Sequence, residues 1–588
     1  MAMLALFATR LSSLRERFNV LTLVAVAIAL AGAWRIVPAG ESGAPDLLQQ
    51  QLDAGEFGPA LQTARQSGDA AERDARLVRV AAAQAKGGER RAAISTLATV
   101  SDDRTRNSAL QATTEPAPQP GARGGVQADF TSLINLITET VSKNSWDENG
   151  GPGKIEPFRN GVYVDASGVL KRTLSTEKSP ELVATRLAAL KGADNTNARR
   201  ASPLRKVSLA RLEKYVQLAL AAGQQPSADM LNMAGLEKIK YVMVYPETGD
   251  LVLAGPAGDW RTDEEGRRVS RKTGRPVLQL DDLVTVLRYL NASPNGTFGC
   301  SIDPTAEGLA RTKQFAEASS ATPLKPGQRP VWLKKLRDQM GLQSISIDGI
   351  DARTRVAQVL IEADYRMKLV GMGLEAGAVG VPSYLELIDV PRGSSPPPLD
   401  VLRWWFTLKY DAVRATPDHN IFEIRGSGVQ VLSENELLTQ LGQQVHTGKS
   451  SAANQEFAQR FTEHFGAMAE KYPVYADLQN IFDLALVSAL ITTEHLGDRI
   501  GWHMTCFRDG SQYQVALGDA PQSVETIINH RVVNQKQIIV GVSGGVQVAP
   551  WSLVKGEHIQ TDSYGKLDAQ RKNAAATDKV PAEAWWWD

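Results

Sequence analysis

Between Met340 and Gly373 the apolar positions switch from one regular period to another. Ile345 and Ile347 alternate with polar neighbours, which is the period of a strand. Asp351 stands where a helix N-cap belongs. Val356, Val359, Leu360, Ala363 and Met367 come next at helical spacing, leaving Arg353, Arg355, Glu362 and Asp364 for the wet side. The pattern predicts a strand–turn–helix unit that its neighbours cover, and it carries no chemistry of its own.

The same reading divides the rest of the chain. Residues 41–110 predict short helices punctuated by Gly55, Gly68 and Gly87, an all-helical hairpin module resembling tetratricopeptide units or a plain pair of helical hairpins. Residues 111–127 have linker composition, and 128–192 read as a small βα module with a Gly/Pro turn before the strand at Gly161–Asp165. Within an α+β core at 193–390, Arg199, Arg200, Arg205 and Lys206 read as a solvated loop. Ser208 caps a helix, and Glu247–Asp250 turns a hairpin. Val277–Leu280 reads as a strand and Asp281 as the cap of the next helix. A Pro-rich hinge at 391–399 leads to a β plus helical part at 400–560, where RWWFTLKY, NIFEIRG and GVQVLSE predict one antiparallel subdomain and Gln514–Leu517 a late strand. Alternation turns one of Trp404 and Trp405 into the core. Pro473 breaks a helix, and Leu478–Ile491 is apolar all round, hence buried. Residues 561–588 read as a polar, loose tail. The fold class is multidomain α+β: a helical module, then a mixed core with antiparallel strands.

Composition changes this picture at one end only. Lys plus Arg equals Asp plus Glu, 65 against 65, so no overall field draws the chain to nucleic acid. Arg10, Arg15 and Arg17 precede an apolar run from Val20 to Trp34, with Val37-Pro38-Ala39 as a small-residue cleavage site. Residues 1–40 are therefore a signal peptide or a retained membrane anchor. Either places the remainder of the chain outside the cytoplasm, periplasmic or anchored facing outward. In an oxidising compartment Cys300 and Cys506 are an even pair able to bridge, with two buried thiols as the alternative.

The motifs that carry chemistry fail on context. Gly541-Val542-Ser543-Gly544-Gly545 comes after a strand like a nucleophile elbow, but the residues beyond it read as strand, not helix. Gly371, Gly373 and Gly377 miss the dinucleotide spacing and end a helix instead of opening one. Asp348 and Asp351 read as a turn residue and a cap. Glu494-His495 with His503 lacks the i, i+4 spacing of metal ligands. The expectation is no catalytic, cofactor or metal residue, no cofactor, and a chain that leans away from catalysis.

SWDENGGPGKIEPF, SIDGIDARTRVAQVLIEADYRMKLVGMG, RWWFTLKYDAV with IFEIRGSGVQVLSE, KYPVYADLQNIFDLALVSALI and INHRVVNQKQIIVGVSGGV together resemble an uncharacterised family of exported planctomycete proteins, filed as domain of unknown function 1598. The resemblance runs over about residues 130–560 and implies export and architecture, but no site. The expected role is a non-enzymatic envelope protein that binds a protein partner, tethered through its N-terminal segment. The alternative is an exported hydrolase whose site is assembled from distant residues.

Overall fold

The computed structural model describes residues 47–113, 154–158, 161–165 and 198–588, apart from breaks at 54, 88, 264, 294, 321–327, 390–398, 440–442, 519–520, 534–535, 556–557, 577–579 and 581–583. The apolar run at 20–34, most of the linker, most of the expected βα module and the hinge at 391–398 lie outside the described residues. Among the described residues, those up to Gln66 and those from Ser67 onward form two compact units.

In the first unit the helices Leu47–Asp53 and Phe57–Arg65 form a hairpin, joined where Thr63 Oγ1 donates to Gln51 Oε1 at 2.9 Å. The second unit opens with three more helices, Ala70–Lys86, Arg90–Leu97 and Asp103–Thr113. Asp69 caps the first of them by accepting from the Glu72 amide. Arg90 donates to the Ala221 carbonyl at 2.9 Å, which ties these helices to the core.

The core is mixed α+β, built on two sheets. The larger has eight strands, in the order Gln444–His446, Gly428–Leu438, Leu399–Lys409, Lys536–Val548, Phe298–Pro304, Leu342–Asp348 and Ser523–Glu525, with Ile528–Val533 also on Lys536–Val548. The smaller has seven: Ile559–Thr561, Ala412–Ala415, Ile421–Arg425, Tyr241–Tyr245, Asp250–Ala257, Ser202–Ser208 and Trp586–Trp587. One hydrophobic core holds an inner face of each sheet with the helices Leu209–Ala221, Leu280–Ala292, Arg355–Gly371 and Pro473–Thr493. The outer face of the large sheet is partly covered by Ala306–Ser320 and Arg329–Met340. The other face of the smaller sheet packs on Lys566–Ala574.

Pro473 starts a helix at its first position, where a missing amide costs nothing. Every residue from Val474 to Ile491 in that helix is buried. It is long and apolar enough to cross a membrane, but here it is a core helix. Trp404 is fully buried, with its Nε1 donating to Asn454 Oδ1 at 2.5 Å, and Trp405 faces outward, as alternation requires. Two glycines let the chain close around Trp404. At Gly371 a Cβ would stand 2.2 Å from the indole. At Gly544, with φ of +146°, it would stand 1.6 Å from the Trp404 carbonyl oxygen.

Several expectations are corrected. The helix at 355 is capped by Thr354, which accepts from the Ala357 amide, while Asp351 binds Arg353. Arg355, Glu362 and Asp364 are buried, because the helix is covered by Leu280–Ala292, Pro473–Thr493 and the large sheet. Asp282 and Asp477 of the two covering helices pair with Arg355, Arg267 pairs with Glu362, and Lys368 of the same helix pairs with Asp364. RWWFTLKY and GVQVLSE pair in the large sheet, whereas NIFEIRG belongs to the smaller one, so both sheets draw strands from either side of the hinge. Leu280 begins a helix whose N-cap position is Gln279, without a side-chain cap, and Leu517 makes only a single bridge to Thr354. The segment around Arg205 is a strand, and that arginine is fully buried. The tail is not loose. Trp586 and Trp587 pair with Val207 and Lys206, the Asp588 side chain accepts from Arg205 Nε at 2.8 Å, and the guanidinium lies 4.5 Å over the Trp586 ring. Cys300 and Cys506 are both buried and free. Cys300 sits in the large sheet beside Asp364 and Lys368, and Cys506 in the short helix Thr505–Arg508 beside Glu213, so they serve separate surroundings.

Candidate functional site

Strand alternation assembles a polar cluster on the outward face of the large sheet. Arg403 lies opposite Glu434 on one neighbour and Ser543 on the other, and Glu436 lies opposite His446. Side chains two apart on a strand share a face, so four strands bring these five together. His446 Nδ1 is 3.3 Å from Glu434 and 3.4 Å from Glu436, and Arg403 Nη1 is 3.3 Å from the imidazole. Glu434 also accepts from the Gly448 amide at 2.6 Å. Glu436 accepts from Ser543 Oγ at 3.0 Å and from Gln444.

The order of contacts limits the chemistry. A nucleophilic serine gives its proton to an imidazole that a carboxylate orients. Here Ser543 meets the carboxylate, and the imidazole lies beyond it. Ser543 is also 1% exposed and sits in mid-strand, opposite Arg403 on one neighbour. Burial pushes the Glu436 carboxyl up. At Glu434 burial acts the same way but is outweighed by the Gly448 amide and His446, which hold it below the usual carboxylate range. The pair is thus split in proton affinity, an arrangement also found between acid and base groups.

A second cluster is internal. Arg355 bridges Asp282 and Asp477, at 2.5 Å to the latter. Arg267 reaches Glu362, Glu265 at 2.6 Å and Asp477 at 3.2 Å. Burial pushes Asp282 up to about 7 against the pull of Arg355. Arg355, although buried, is held above the ordinary guanidinium value by Asp282 and Asp477. Nearby, Lys368 Nζ lies 2.7 Å from Asp364 and donates to the Ile302 carbonyl at 2.7 Å, while burial lifts Asp364 to about 6. These groups clamp three helices and the hairpin around Arg267 together. Elsewhere in the core Glu213 is fully enclosed and lifted by burial to about 7, accepting from Trp502 Nε1 and from the Cys506 and Phe507 amides.

The residues singled out from sequence do not converge. His495, 76% exposed, stands 3.7 Å from Asp498, while His503 is 3.5 Å from Arg104. Glu494 pairs with His419 at 2.7 Å. Gly371 packs under Trp404, Gly373 comes after the helix end in a left-handed conformation, and Asp348 ends a strand. Among the described residues no group of three or more His, Cys, Asp or Glu is arranged to hold a metal ion. Sequence reading passed over Glu434, Glu436 and His446. The two glutamates did alternate within GVQVLSENELL, but only the sheet order shows what they face.

The strand at Cys300, the two helices behind the large sheet and the buried helix Arg355–Gly371 form a continuous block up to Tyr384. Residues 300–384 match the family described as Protein of unknown function (DUF1598). The match spans 85 of the 588 residues. No curated protein and no solved structure matches the chain. The family block contains Arg355, Glu362, Asp364 and Lys368 of the internal cluster, whereas Glu434, Glu436 and His446 lie beyond it.

Proposed function

We infer that the chain works outside the cytoplasm as a protein-binding component of the cell envelope, held or released at its N-terminal apolar run. The reading rests on the arginines before that run and on one structural observation. At the end of the eight-stranded sheet, the cross-strand neighbours Leu437 and Val445 are 65% and 46% exposed. Apolar side chains on an uncovered sheet edge invite a partner. On the opposite face of Gly428–Leu438, Leu432, 38% exposed, lies beside the outward Trp405 of Leu399–Lys409. An affinity-tagged full-length chain, isolated from its own envelope, should retain one partner in fixed stoichiometry and re-form the complex from purified components. A chain that stays alone in that experiment while cleaving an envelope substrate contradicts the reading.

The rival, an exported hydrolase, is favoured by the split pair Glu434 and Glu436 beside His446. It predicts substrate turnover that Glu436→Gln abolishes without unfolding the chain.

A further inference from the structure

The hairpin that ends the large sheet has a definite hydrogen-bonding phase. The Thr439 amide donates to the Gln443 carbonyl at 2.9 Å. Bonded and non-bonded pairs alternate along an antiparallel ladder. The next bonded pair is therefore Leu437 with Val445. Gln444 and His446, opposite Leu438 and Glu436, direct their amides and carbonyls away from the sheet. Among the described residues no strand pairs with that outer side. The two faces of this edge differ in chemistry. Leu437 and Val445 make one face apolar and exposed. The other carries Glu434 and Glu436, held in place by Gly448, Gln444 and Ser543, with the 62% exposed His446 at the rim. Both glutamates are 8% exposed, and Arg403 offsets one of them, which leaves one carboxylate beneath the rim formed by His446.

We propose that this edge binds an extended segment of a partner protein, added as a further strand, in which basic side chains alternate with apolar ones. The proposal rests on the protein-binding reading above and names the partner's chemistry. The backbone of Gln444 and His446 supplies the ladder. The apolar residues of the incoming strand lie beside Val445 and Leu437. Its long basic side chains reach past His446 toward Glu434 and Glu436. Main-chain pairing provides affinity and the alternation provides selectivity, as in strand addition generally.

The probe is a labelled peptide, Gly-Ser-Lys-Val-Lys-Val-Lys-Ser-Gly, titrated with the full-length chain by fluorescence anisotropy. It should bind saturably, and the same peptide with glutamate in place of lysine should not. Val445→Asp, at a half-exposed position, should weaken binding tenfold or more. So should His446→Pro, which removes an outward amide. Glu434→Gln with Glu436→Gln should weaken binding and abolish its salt dependence. Circular dichroism confirms that each variant is folded. No binding by the wild type, or binding indifferent to all three changes, overturns the proposal. If the tagged chain keeps its native partner and Val445→Asp leaves that complex intact, the edge is wrong but partner binding stands. If the wild type keeps no partner, the broader reading fails, whatever the peptide does.

Discussion

Asp282 offers a test of the buried network by its proton. The carboxyl is enclosed and donates nothing to solvent; burial lifts it from the ordinary 3.8 to about 7 in spite of Arg355, with Asp477 and Asp281 adding to the rise. The unfolded chain releases this proton near 4, so the folded chain binds more protons across the window between. Stability from this group is therefore whole below about pH 4, falls as pH rises through the window, and is flat above about 7. The full difference, from 3.8 to about 7, is worth about 4 kcal/mol at 1.36 kcal/mol per pK unit. Asp282→Asn keeps the shape, loses a charge-assisted bond to Arg355, and does not titrate. Urea unfolding monitored by tryptophan fluorescence at pH 5.5 and pH 8 compares the variant with wild type. Glu213, Asp364 and Asp483, which burial also lifts, are common to both proteins and cancel in the difference. Relative to wild type, the variant should gain about 2 kcal/mol between the two pH values. An equal loss of several kcal/mol at both would mean that Asp282 is ionised and paired throughout, and would refute the reasoning.

The same contacts predict other outcomes. Thr354→Ala should cost about 1 kcal/mol, the worth of a cap, whereas Asp351→Ala, whose partner Arg353 is 57% exposed, should stay within about 0.5 kcal/mol in thermal unfolding. Arg205→Met should cost about 3 kcal/mol or more, because a fully buried guanidinium that binds Asp588 and the carbonyls of Ala198, Ala234 and Arg200 is lost; a change below 1 kcal/mol would show that Trp585–Asp588 does not hold the sheet edge. Alkaline phosphatase fused after Pro120 should be active in cells, and an inactive but intact fusion would refute export.

What could be read in advance was local. Alternation told Trp404 from Trp405, the all-apolar run announced the buried helix after Pro473, and the residues after Ser543 that read as strand do lie in the strand Lys536–Val548. Long-range pairing decided the rest. Arg355, Glu362 and Asp364 look like a wet helix face until Asp282, Asp477, Arg267 and Lys368 surround them. A tail rich in tryptophan is a strand only because Val207 and Lys206, far earlier in the chain, lie beside it. The cluster of Glu434, Glu436, His446, Arg403 and Ser543 needs four strands whose order no single segment carries.

The central claim is that this chain acts by binding and not by turnover. Its most direct test is rescue of a deletion strain by His446→Ala, which removes the imidazole beside Glu434 and Glu436 that the rival hydrolase would use but keeps the backbone of the proposed edge. The account predicts full rescue, with the partner co-isolated as from wild type. Loss of rescue by a variant that remains folded and still holds the partner would contradict it.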